Sequence, residues 1–126
     1  MEMIKTALES VVTDQTQILF VIFITILAFE MLSGVLKAIK NKELDSTKFR
    51  EGLLSKSGYF LQVGLCLVVS VMIEMPYLLY ADLIWVSCSE SVSVLENLSI
   101  CGVKIPTFIK NILEKTKEVT ENEANK

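Results

Sequence analysis

The chain has 126 residues, of which 52% are hydrophobic, and its mean hydropathy is +0.51. Twelve basic and fifteen acidic residues give a net charge of −3, and these charges are gathered into blocks between long apolar runs, which is typical of membrane proteins. The sequence has no His, no CxxC pair, no glycine-rich phosphate loop and no nucleophile beside a recognisable base, so it predicts neither an enzyme nor a cofactor or metal site.

An N-terminal segment, residues 1–17, precedes the first long apolar run, residues 18–36. That run contains a single charge, Glu30, and about 20 helical residues suffice to cross the roughly 30 Å hydrocarbon layer. We therefore predict that it is the first transmembrane helix. One face of this helix has the small-xxx-small pattern that lets helices approach closely. This predicted helix-packing face consists of Glu30, Ser33, Gly34 and Ala38.

A basic loop, residues 37–57, is predicted to follow the first span. Its six basic residues are interpreted as the determinants of topology, and contact with anionic lipid headgroups is an alternative role for them. Basic residues in short loops beside membrane spans do not indicate nucleic-acid binding. The topology-determining residues are Lys37, Lys40, Lys42, Lys48, Arg50 and Lys56.

Two further apolar runs, residues 58–75 and 77–95, are predicted to be the second and third transmembrane helices. Pro76 lies between them, and proline restricts the residue before it and suits the first turn of a new helix. The turn is so short that we expect the two helices to pack antiparallel and in direct contact.

The third predicted span is unusually polar. At about 100° per residue, four of its polar residues fall within about 60° of arc, and such a stripe should face a bundle interior or water rather than lipid. We interpret it, together with nearby Glu90, as a pore-lining or oligomer-forming face. The alternative is a static hairpin whose acidic residues lie near the membrane interfaces. This polar stripe consists of Asp82, Ser89, Ser93 and Glu96.

The C-terminal tail, residues 104–126, is predicted to contain a short amphipathic helix that begins at Pro106. Apolar residues recur in it at the spacing of one helix face. We expect this helix to lie on the inner membrane surface or to pack between subunits. Its apolar residues are Ile105, Phe108, Ile109, Ile112 and Leu113.

The distribution of basic residues predicts the topology. With three spans, eleven of the twelve basic residues lie on one side of the membrane, whereas a single kinked helix in place of the last two would leave six on each side. The positive-inside rule therefore favours three spans, an outer N-terminus and a cytoplasmic C-terminus. The predicted fold is a single all-α integral membrane domain, residues 1–126, with three transmembrane helices and an amphipathic cytoplasmic C-terminal helix.

Several fragments, in this order and spacing, resemble the toxin-secretion/phage-lysis holin family, which includes clostridial toxin-export holins. Glu30 and Glu74 stand where that family usually has Asp, at the ends of the first and second spans. The resemblance covers roughly residues 28 to 115. The fragments are Glu30 with Gly34-Val35-Leu36-Lys37-Ala38-Ile39-Lys40, then Glu43-Leu44-Asp45-Ser46, Glu51-Gly52-Leu53, Glu90-Ser91-Val92-Ser93-Val94-Leu95-Glu96-Asn97 and Gly102-Val103-Lys104-Ile105-Pro106.

The resemblance implies a function. Holins accumulate in the bacterial cytoplasmic membrane, form homo-oligomers and open lesions through which an endolysin or a toxin passes. It implies the lipid bilayer and further copies of the chain as partners, with an endolysin or toxin coupled only functionally. Two alternatives stay open, namely a small ion- or proton-translocating membrane protein and a non-conducting, antiholin-like regulator.

Overall fold

The computed structural model describes residues 1–125, and in that part of the chain all regular structure is α-helical. The all-α class predicted from the sequence is therefore confirmed. Lys126, the last residue of the predicted tail, lies outside the described residues. The helices are α1 (Glu2–Val11), α2 (Asp14–Lys40), α3 (Ser46–Met72), α4 (Pro76–Ile100) and α5 (Thr107–Ala124).

Three of these helices, α2, α3 and α4, are long and apolar enough to cross a membrane. With 27, 27 and 25 residues, each exceeds the roughly 20 residues that a bilayer requires. Many of their large apolar side chains face outward, where lipid can cover them, and Val21, Leu61 and Leu65 are each more than 60% exposed. This confirms the three candidate spans.

The helices begin where local chemistry favours a start. At the start of α2, Thr13 and Thr16 form a reciprocal capping box. The Asp45 carboxylate accepts a hydrogen bond from the Thr47 amide, 2.9 Å away, at the start of α3. Pro76 occupies the first position of α4, as predicted, because its missing N–H costs nothing there.

The loop between α2 and α3 is shorter than the predicted basic loop. The helix α3 begins at Ser46 rather than at residue 58, so only residues 41–45 connect the two helices. Apolar-run length marks where a bilayer can begin, but a helix also continues through charged residues with good helix propensity such as Lys48, Arg50 and Glu51. The boundary expected from hydropathy is therefore not the boundary of the helix.

Residues 73–75 form the turn between α3 and α4. Glu74 adopts the left-handed conformation with φ of 53°, and the Met75 amide donates to the Ser70 carbonyl, 2.9 Å away. This end of the molecule is called the hairpin end below, and the end that holds residues 41–45 is called the connector end. The short turn agrees with the predicted antiparallel pair.

Helix α4 is the centre of the packing. It contacts α2 most extensively, then α5 and then α3, whereas α2 and α3 share no extensive interface. A further contact joins α1 to α3. The buried apolar core lies mainly between α2, α3 and α4, and it consists of Val11, Phe23, Leu27, Val63, Leu79, Leu83 and Val86.

Candidate functional site

A cluster of three charged side chains joins the three long helices. The Lys56 ammonium on α3 lies 3.0 Å from a Glu30 carboxylate oxygen on α2 and 2.6 Å from a Glu90 carboxylate oxygen on α4. The exposed fractions of the side chains are 13% for Lys56, 20% for Glu30 and 5% for Glu90. One positive charge thus serves two carboxylates, and this ion cluster satisfies charges that would otherwise be costly in a bilayer.

The three partners meet because they lie at one depth. Each of Glu30, Lys56 and Glu90 is ten residues from the connector end of its own helix, which ends at Lys40, Ser46 or Ile100 respectively. At about 1.5 Å per residue this places all three about 15 Å from that end. Lys56, predicted to be a loop residue that determines topology, is therefore part of the helix bundle.

A second contact links the predicted packing face of α2 to α4. The Asn97 side-chain amide donates to the Ser33 hydroxyl, 3.1 Å away, and both residues are buried. A Cβ added at Gly34 would lie 3.9 Å from the Asn97 amide nitrogen, which is ordinary van der Waals contact. The face is thus in use within one chain, with Glu30 in the ion cluster and Ala38 at the edge of a cavity.

Asp82, the first residue of the polar stripe, contacts α3. One of its carboxylate oxygens accepts a hydrogen bond from the Gln62 amide, 2.5 Å away. The other oxygen is buried and has no hydrogen-bond partner among the described residues, and the same holds for the indole nitrogen of Trp85. Buried polar groups without partners are rare and costly, so this part of α4 is under-satisfied within one chain.

Helix α5 covers the face of α4 that carries the polar stripe. Lys110 lies 3.5 Å from Glu96, and the Lys117 ammonium lies 5.3 Å from the centroid of the Trp85 ring. Residue numbers rise along α5 as they fall along α4, so the two helices are antiparallel. Ser89 and Ser93 lie between Trp85 and Glu96 on this face and are half-buried.

Glu90 does not point along the polar stripe. It lies about 100° around α4 from Ser89, as consecutive helical residues do, and faces the ion cluster between α2 and α3. The structure therefore divides the predicted set into two groups. Asp82, Ser89, Ser93 and Glu96 share one face, and Glu90 lies on another.

Two cavities reach these polar groups. One, of about 290 Å³, opens between α2 and α3 at the connector end, and its lining includes Glu30, Gly34, Lys37 and Lys56. The other, of about 280 Å³, lies near the hairpin end between α3, α4 and α5, and its lining includes Gln62, Asp82 and Glu121. The apolar core, with Phe23 and Leu83 fully buried, lies between these polar layers.

The predicted topology determinants cluster at the connector end. Lys37 and Lys40 occupy the last turn of α2, where basic residues interact favourably with the helix dipole. Lys42 lies in the connecting turn with φ of 54°, and Lys48 forms an exposed ion pair with Glu43 at 3.7 Å. Arg50 is exposed on α3. Five of the six predicted residues thus lie at one end of the molecule, outside the apolar core.

Several contributing residues were not predicted. Gln62, Asn97, Lys110 and Lys117 all contact residues of the predicted faces. The signal available in the sequence was equal distance from a shared turn, because polar residues at equal depth on neighbouring antiparallel helices can pair. Rotation about each helix axis decides whether they do, and only packing sets that rotation.

Comparisons with known proteins converge on one family. The model of a family described as the bacteriophage holin family matches residues 7–118. Over 101 residues the chain is 34% identical to the uncharacterized protein YqxH of Bacillus subtilis strain 168, covering 77% of this chain and 72% of that protein. Over 98 residues it is 30% identical to a probable holin of Bacillus phage phi105, covering 77% and 73% respectively. No solved structure matches significantly.

Proposed function

Because the chain belongs to the bacteriophage holin family, we propose that it accumulates in the cytoplasmic membrane of a host bacterium, forms homo-oligomers and opens lesions. Through these lesions an endolysin reaches the cell wall, or a toxin leaves the cell. The protein performs no catalysis in this proposal. It is coupled to endolysin or toxin by timing and location and binds neither stably.

The polar stripe is the observation that carries the oligomerisation step. A carboxylate near the centre of a membrane helix costs about 2.5–3.5 kcal/mol on insertion scales, so a helix with Asp82 and three more polar residues on one face is poorly suited to lipid. In a ring of subunits the same face meets water or a neighbouring polar stripe. The buried Asp82 oxygen without a partner supports this, because a second subunit or water in a pore can satisfy it.

The proposed orientation has the N-terminus outside and the C-terminal tail in the cytoplasm. It is supported by the basic residues at the connector end, since basic loops stay on the cytoplasmic side of bacterial membranes. The hairpin end, with residues 73–75, then faces outward. In this orientation the ion cluster lies in the cytoplasmic half of the bilayer.

Inducible expression in a bacterium, with and without a cytoplasmic endolysin, tests the proposal. We expect abrupt lysis only when both proteins are present, preceded by loss of membrane potential and by escape of a folded cytoplasmic reporter protein. Potential loss without reporter escape would instead identify a small-ion or proton translocator. Cells that stay intact and polarised, but lyse later when another holin is co-expressed, would identify an antiholin-like regulator.

Substitutions in the polar stripe test the proposed interface directly. The double variant Asp82→Leu/Ser89→Leu should delay lysis strongly or abolish it, because two apolar side chains make this face compatible with lipid. Ser91→Leu is the matched control, since Ser91 lies on the opposite side of α4 from Ser89 and its hydroxyl is already satisfied by the Ser87 carbonyl. Unchanged lysis timing in the double variant would refute the pore-face assignment.

A further inference from the structure

We propose that α5 is a removable cover of the polar stripe, and that it must leave α4 before this face can pair with a second copy of the chain. The proposal rests on the proposed function and adds its regulation. It starts from the contacts of Lys110 with Glu96 and of Lys117 with Trp85, which span the polar stripe from end to end. A second copy cannot contact the same face while α5 lies on it.

The covering contact uses the polar edge of α5 rather than its apolar edge. Lys110, Lys117 and Thr120, which follow one edge of the helix, are half-buried toward α4. The apolar edge is left open, with Phe108 63% exposed and Ile112 60% exposed. The amphipathic helix predicted from the sequence therefore exists, but the residues expected to bury it do not hold it on the bundle.

The charge of α5 makes the cover incompatible with an α4 that fully spans the bilayer. Helix α4 is a candidate membrane span, whereas α5 is too polar to be one. Because the helices run antiparallel, full insertion of α4 would carry Lys117 and Glu121 to the depth of Trp85 and Asp82, where ionised side chains are unfavourable. Insertion of α4 and retention of the cover therefore exclude each other.

The open apolar edge gives the released helix a place to go. Phe108, Ile112 and Val119, which lie on that edge, match the apolar face of a helix that binds at a membrane surface, while its charges remain in water. The same helix thus has two mutually exclusive positions, one on the polar stripe and one on the lipid surface. Release of α5 exposes Asp82, Ser89, Ser93 and Glu96 together.

A reversible tether between α4 and α5 tests the cover. Cys66, Cys88 and Cys101 are first replaced by Ala, and the pair Glu96→Cys/Lys110→Cys is introduced at the partly exposed ion pair. The purified full chain is cross-linked with a short bismaleimide whose spacer contains a disulfide, and is then added to vesicles of phosphatidylethanolamine and phosphatidylglycerol. Self-association on native gels and release of a trapped protein-sized dextran are both measured.

The tethered protein should stay monomeric and release the dextran about tenfold more slowly, because only untethered molecules can expose the stripe. Reduction of the spacer should restore both self-association and release. The same pair reacted with a monofunctional maleimide is the matched control, since it carries the modifications without the tether. Tethered protein that self-associates like this control would overturn the cover.

The two proposals fail in distinguishable ways. If the cysteine-free protein associates but never releases dextran, lesion formation is wrong, whereas the effect of the tether on association still decides the cover. If it releases dextran equally fast with and without the tether, lesion formation stands and the cover is wrong. Removal of α5 by truncation after Pro106 provides a second measurement, in which earlier self-association supports the cover and later self-association contradicts it.

Discussion

At the scale of single residues, Lys56 has the largest structural role. It connects three helices through two carboxylates and also lies 5.6 Å from the centroid of the Tyr59 ring. The sequence identified Lys56 as basic and Glu30 and Glu90 as acidic residues in apolar surroundings, but it did not predict that they meet. Apolar-run length placed Lys56 outside the second span, and its pairing became visible only once α3 was seen to begin at Ser46.

Replacement of Lys56 by Leu should destabilise the bundle by about 3 kcal/mol, because removal of one partner from a buried ion pair leaves uncompensated charge. The measurement is the free energy of unfolding in detergent micelles. Lys56→Arg should retain most of the stability, since it keeps the charge. Lys48→Leu is a control, because its pair with Glu43 is exposed and contributes little. Equal stability of Lys56→Leu and the unmodified protein would contradict the role of the ion cluster.

At the scale of elements, sequence patterns predicted the three long helices, the proline start of α4 and the C-terminal helix. Those features depend on hydropathy and local backbone preferences, which act within one segment. The position of α5 along α4 was not predicted, because it depends on Lys110 and Lys117 finding partners on another helix. The division of the predicted site into a stripe and an ion cluster was missed for the same reason.

The turn between α3 and α4 offers a test of local strain. Glu74 has a φ of 53°, a conformation that costs residues with a Cβ about 1–2 kcal/mol and costs glycine far less. Glu74→Gly should therefore be more stable than Glu74→Ala by about 1 kcal/mol. Both variants lose the same carboxylate, so their difference in free energy of unfolding isolates the backbone effect. A Glu74→Ala variant as stable as Glu74→Gly would indicate a relaxed turn.

At the scale of the whole molecule, the two ends differ in charge. Lys37, Lys40, Lys42, Lys48 and Arg50 lie at the connector end, whereas exposed Glu74 lies at the hairpin end. The proposed orientation follows from this difference, and it applies equally to the monomer and to any oligomer with the same topology. It is also independent of how α5 is positioned.

Single-cysteine variants in a cysteine-free background measure this orientation. A membrane-impermeant maleimide applied to intact spheroplasts should label Glu74→Cys and should spare Lys48→Cys. After permeabilisation both variants should react, which shows that each thiol is accessible. Labelling of Lys48→Cys in intact spheroplasts would reverse the orientation, and labelling of both would contradict a three-span topology.

The central position of α4 has a further consequence for how the protein changes state. Since α2 and α3 share no extensive interface, each is held in the bundle mainly through its contacts with α4, and α3 also through α1. A rotation or shift of this single helix therefore alters nearly every interhelical neighbour at once. Such an arrangement favours an all-or-none switch in each subunit over a gradual loosening, and it lets a short cue at one helix be felt throughout the molecule.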